Sequence, residues 1–251
     1  MRPRSLALFG LAYFVTLELL LVAAVLAWPA FLENIGALRS MAAPIPVLGQ
    51  AMDQIQERGF PAYLLAQHFF KGCNTLGVAA AVLFAAPAVA GEAHRGTLEV
   101  WLARPLSRRR ILLERYAAGA LALCVPLLLS TASVPLLAHR VDEWDPVGPY
   151  LLCALHQSLF LLAMYSVAFL WSTLGSHPGT IALSLLFVTT FEFAIYMIKV
   201  WTHWSLFRLC DIQTLLDVLD HGLDVPLVGG LALVSGALLV ASLVAFERRT
   251  P

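Results

Sequence analysis

GEAHRGTLEVWLARPLSRRR, residues 91–110, is a long basic break between two apolar runs, and no acidic block compensates its charge. Leu98, Trp101 and Leu102 recur at i, i+3 and i+4, which sets them on one face of a short helix. That face suits either a lipid surface or a groove on a partner. Pro105 ends the segment, because the residue before a proline is pushed out of the helical region. Ser107 stands where an N-cap belongs, and the helix it would open runs straight into Ile111 and Leu112. The stretch reads as an elbow joining two membrane spans.

Composition agrees with a membrane setting. The chain has 251 residues, 60% hydrophobic and only 13% charged, with a mean hydropathy of +0.80. A soluble domain carries about 25% charge. The apolar residues gather into six runs, approximately 6–28, 63–90, 111–137, 148–172, 179–201 and 225–246. Each is near or above the ~20 residues that cross a bilayer core of ~30 Å. The expectation is an all-α polytopic bundle of six transmembrane helices with short interfacial helices.

Net charge is zero, yet the basic residues are segregated. With both termini on one side, ten of the sixteen Lys and Arg residues fall there, at the N-terminus, in the elbow and at the C-terminus. The other side has Arg39, Arg58, Arg140 and Arg208, while Lys71 and Lys199 fall within spans. The positive-inside rule therefore puts both termini and the elbow in the cytoplasm.

The opening run is longer than the 7–15 residues of a signal-peptide core and carries Glu18 in its middle, so it reads as a retained span. In the first external loop, Phe31, Ile35 and Leu38 share one helical face and Val47, Leu48, Met52 and Ile55 another, with Pro44 and Pro46 between. These read as two interfacial helices, capping the bundle or gating it. The second span holds His68, Lys71 and Asn74, with Lys71 near enough to the outer end to snorkel, and Pro87 placed to kink its inner end.

The fifth span carries Glu192, Tyr196 and Lys199 on one face. An acid at a helix centre costs at least ~2.5 kcal/mol, so such groups turn inward and find partners. Glu18 and Glu192 are therefore the candidates for a translocation path, against a purely structural role in packing. The last external segment, 202–224, puts Leu209, Ile212, Leu216 and Leu219 on one face opposite Arg208, Asp211, Asp217 and Asp220, which reads as a solvated face and not a metal site. In the final span Gly229, Gly230, Ala232, Ser235 and Gly236 permit close helix approach.

The elbow also carries a resemblance. Gly91-Glu92, then Gly96-Thr97-Leu98, then Leu102, Pro105, Ser107 and Arg108 resemble the loop after the second span in permeases of type-2 (ABC-2) ABC transporters. Glu114-Arg115 stands where that family usually has Gly-Lys. The resemblance implies a single permease domain over residues 1–251, paired with a second copy or a close relative in the cell membrane. It implies an exporter driven by separate ATPase subunits that bind ATP and Mg, with no cofactor in this chain. It implies ATPase contact through Glu92, Gly96, Thr97, Leu98, Trp101, Leu102, Pro105 and Arg108.

No G-x-x-x-x-G-K-[ST] phosphate loop, H-E-x-x-H, G-x-S-x-G or paired-cysteine zinc spacing occurs. Cys73, Cys124 and Cys153 fall in spans and Cys210 outside them, and nothing requires a disulfide. A non-transporting scaffold or sensor that uses the same elbow is the alternative. An intramembrane enzyme built on Glu18, Glu192 and His156 lacks an accompanying nucleophile or metal constellation.

Overall fold

A computed structural model describes residues 3–102, 106–198 and 200–249. Among them six helices are long and apolar enough to cross a membrane, and no strand occurs. In order, α1 is Pro3–Glu33, α2 Ile35–Ala42, α3 Pro46–Arg58 and α4 Phe60–Leu64, followed by a π segment, Leu65–Asn74. Then come α5, Thr75–Ala85, α6, Ala90–His94, and α7, Leu98–Leu102. The second half has α8, Arg108–Ala132, α9, Val134–Ala138, α10, Val147–Leu174, α11, Pro178–Met197, α12, Ile212–His221, and α13, Val225–Arg248.

α10 is the hub, packed by α8, α13, α5 and α12, while α1 lies along α8 and the π segment. Lipid tails are as apolar as leucine, so packing here rests on close contact and internal polar bonds. Gly119 of α8 shows how close: a Cβ there would lie 2.1 Å from the Tyr165 hydroxyl of α10. α11 and α13 are the least enclosed spans, and Gly229, Gly230 and Gly236 have open space where a Cβ would go. Of the small residues in this span Ser235 is buried in the bundle, while these three glycines meet no neighbour among the described residues.

Span ends differ from the hydropathy reading for backbone reasons. α1 runs through Pro29 to Glu33 instead of stopping at 28. The second span stops at Ala85, two residues before Pro87, so the proline ends a helix instead of kinking one. α11 ends at Met197, short of 201, and Lys199 lies outside the described residues. The second span also widens to i→i+5 bonding over ten residues, where Gly72 avoids a Cβ that would meet the Gln67 carbonyl at 3.3 Å. There Lys71 points outward, bonded to Gln67, while His68 and Asn74 are buried.

At the end away from the elbow, Val47, Met52 and Ile55 of α3 are buried, but Leu48 is exposed. Arg39 pairs with Asp53 at 2.8 Å, and Arg58 with Asp220, which ties α2 and α3 to each other and to α12.

The expected external segment, 202–224, folds back into the bundle. Cys210, read as lying outside the spans, is fully buried, as are Leu215 and Leu216. Asn74 donates to the Cys210 carbonyl at 3.3 Å and accepts from Gln157 and from the Cys210 thiol. His156 donates to the Leu209 carbonyl at 2.7 Å. In this low-dielectric interior the returning backbone must bond to protein, and these polar side chains of α10 and the π segment meet it.

Candidate functional site

The elbow begins where α5 meets Pro87. Stopping a helix beside a proline leaves carbonyls and amides without helical partners. One side chain answers most of them: Ser172, at the elbow end of α10, donates to the Ala86 carbonyl at 2.8 Å and accepts from the Val89 and Ala90 amides, each at 3.0 Å. Arg115 of α8 donates to the Ala88 carbonyl at 3.2 Å.

α6 then closes in a Schellman turn. The Thr97 amide reaches back to the Glu92 carbonyl and the Gly96 amide to Ala93, with Gly96 at φ +67°. A side chain at that dihedral is strained, which is the local reason for glycine before threonine. The Thr97 hydroxyl donates to the Glu92 carboxylate at 2.5 Å. Arg95 meets the same carboxylate at 2.7 Å, and Arg115 lies 3.6 Å from it. Burial raises the Glu92 carboxyl, while the Thr97 hydroxyl and the positive charge around it, Arg95 included, lower it, and the net is a value below the ordinary glutamate one.

Glu92 and Leu98 are thus buried, and Thr97 is turned toward Glu92, while Glu99 and Val100 of α7 are exposed. The side chains of Trp101 and Leu102, and all of Pro105, lie outside the described residues. Ser107 caps α8 as expected, accepting from the Arg110 amide at 3.3 Å.

Arg108 points the other way. Its Nη1 donates to the carbonyls of Glu247 at 3.0 Å and Arg249 at 2.8 Å, capping the end of α13. Arg249 does the same for α10, reaching the carbonyls of Thr173 and Gly175. The rings of His94 in α6 and His177 in the 175–177 turn approach with Nδ1 atoms 3.2 Å apart, where one donates to the other. Elbow, α8, the α10–α11 turn and the end of α13 are therefore bonded into one polar layer.

Sequence reasoning missed Ser172, Arg249 and the His94–His177 contact. A serine on the last turn of an apolar run carries no pattern of its own. The two acids proposed for a path are not brought together. Glu18 accepts from Ser133 at 2.7 Å, and its second oxygen is buried without a partner among the described residues. Glu192, near the far end of α11, accepts from the Leu206 amide at 3.2 Å while its carbonyl accepts from Ser205. Asp211 caps α12 through the Thr214 amide at 2.8 Å, so part of the acidic run is structural.

No curated protein and no solved structure matches the chain. A family model described as ABC-2 family transporter protein matches residues 4–208, from the start of α1 to the segment before α12. With that match over most of the chain, six apolar helices, and the Gly-Glu and Gly-Thr-Leu elements joined in one bonded turn, this chain belongs to the ABC-2 family of transporter proteins, as a multi-pass membrane permease.

Proposed function

We propose that the chain is the membrane subunit of an exporter, working as a homodimer or beside a close relative in the cell membrane. Separate ATPase subunits, which bind the ATP and Mg, dock at the elbow from the cytoplasm, where both termini also lie. The observation that supports this reading is the bonding of the turn at Glu92–Thr97. Glu92 is bonded to Thr97 on one side and paired with Arg95 and Arg115 on the other. A push on the exposed face of α7 passes through Gly96-Thr97 to Glu92, then to α8 through Arg115 and to α10 through Ser172. A loop without those bonds would absorb the movement. In this mechanism Glu92 and Thr97 position the lever, and Glu99 and Val100 offer the surface that is pushed.

The test is co-expression with candidate ABC ATPases, followed by ATP-dependent flux in inverted vesicles. Wild type should copurify with the ATPase and transport. Glu92→Arg should retain the ATPase but cut flux at least tenfold, because docking survives while the lever is loosened. Unchanged flux in Glu92→Arg sinks the lever, and a stable ATPase complex with no flux in wild type leaves a scaffold instead of a transporter.

A further inference from the structure

We propose that the groove between α1 and α8 at the elbow end of the bundle is a binding site for one anionic phospholipid, with an acyl chain in the groove and its phosphate on Arg110. The groove is bounded by Leu6, Gly10 and Phe14 on α1 and Leu121, Val125 and Leu129 on α8, and has a volume of about 610 Å³. It exists because its floor is made of small residues. A Cβ on Gly10 would lie 3.4 Å from that of Ala122, so the two helices nearly touch there while larger side chains stand up on either side.

Three observations select the occupant. The first is length. From Ala118 to Leu129 a helix rises ~17 Å, close to half of a ~30 Å hydrocarbon core. The groove therefore matches the chain region of a single leaflet, starting where α1 itself starts.

Width is the second. A volume of 610 Å³ over that length leaves a mean cross-section of about 36 Å². A single hydrocarbon chain lies within that section.

Charge is the third. Arg110, Glu114, Ala118, Leu121 and Val125 step along α8 at i+3 and i+4, so Arg110 stands two turns beyond Ala118, where the lining begins. Glu114 takes its Nε–H at 2.9 Å, which turns the side chain along α8 in the direction of Ala118. That draws the guanidinium toward Glu114, ~6 Å beyond Ala118 and within a headgroup layer ~5–8 Å thick. The Arg110 side chain stays 66% exposed. The first eight residues of α8 hold four arginines, Arg108, Arg109, Arg110 and Arg115, which outnumber their acidic partners Glu114, Glu247 and Glu92. A phosphate meets a positive field there, and a planar guanidinium suits its oxygens.

The experiment is native mass spectrometry of the full chain in detergent, titrated with dioleoyl-phosphatidylglycerol or dioleoyl-phosphatidylcholine. Wild type should keep one phosphatidylglycerol per chain at collision energies that strip phosphatidylcholine. Ala118→Trp fills the mouth from an exposed position and should lose that adduct. Val240→Trp, at similar depth on the exposed face of α13, should keep it. Arg110→Gln should still bind lipid but lose about fivefold of its preference for phosphatidylglycerol, the factor for one basic residue at an anionic surface. Equal retention of both lipids by wild type, or an unchanged adduct in Ala118→Trp, overturns the proposal. So does a change from dimer to monomer in Ala118→Trp with lipid retained, since the groove would then face a second copy.

Discussion

Ser172→Ala is the sharpest perturbation of the elbow. The residue is fully buried, and its hydroxyl satisfies three backbone groups: the Ala86 carbonyl and the Val89 and Ala90 amides. Removing it deletes one small oxygen and leaves three polar groups without that partner. Each buried orphan costs ~1–3 kcal/mol, so a literal sum reaches ~3–9 kcal/mol. A water admitted from the nearby surface would recover part of that, and ~3 kcal/mol is the working figure. If the loss is local, opening of residues 86–90 becomes easier by about 100-fold, since ~1.4 kcal/mol is a factor of ten.

Hydrogen exchange of the detergent-solubilised protein reads this directly, as faster exchange of the Val89 and Ala90 amides. The matched control is Thr173→Val, one residue on. That side chain is also buried, but among the described residues its hydroxyl bonds only the Leu170 carbonyl of its own helix. Its loss should leave exchange at 86–90 within about threefold, consistent with the ~1 kcal/mol of a single hydrogen bond. Less than fivefold acceleration in Ser172→Ala, or equal acceleration in both variants, would refute the claim that one serine holds the turn.

Two further outcomes follow from the same layer and from the returning segment. Glu92 has a folded pKa below its ordinary value, so its stabilisation is complete above the glutamate range and is lost as pH falls through the folded value. Glu92→Gln should therefore be less stable than wild type by ~1–3 kcal/mol at pH 7, with the gap constant down to about pH 5 and shrinking below about pH 4; unfolding in mixed micelles across that range measures it, and a gap that widens in acid contradicts the ion pairing. Asn74→Leu removes the group that meets the Cys210 carbonyl, the Cys210 thiol and Gln157. Orphaned polar groups costing ~1–3 kcal/mol each should loosen residues 206–221, so Cys210, inert to a hydrophilic maleimide in wild type, should become labelled while Cys73 stays protected; no labelling means the segment is held by its apolar contacts alone.

What the sequence by itself determined was transfer between solvents and local turn chemistry. The six spans are legible because crossing a bilayer demands a run of apolar residues whatever the neighbours are. The helix Leu98–Leu102, the cap at Ser107 and the inward face of 212–216 are legible because each depends on residues within a turn or two. Only the tertiary structure decided where the backbone's leftover hydrogen bonds go. Ser172 answers a gap opened by Pro87, 85 positions earlier, and Arg108 and Arg249 cap helices whose ends lie far from them in the chain. Cys210 and its neighbours read as an external amphipathic stretch until Asn74, Gln157 and His156 are seen facing them from two other helices. Hydropathy counts what each residue loses on leaving water, whereas a buried amide or carboxylate is settled by the one partner that the fold brings within 3 Å, and no linear pattern encodes that distance.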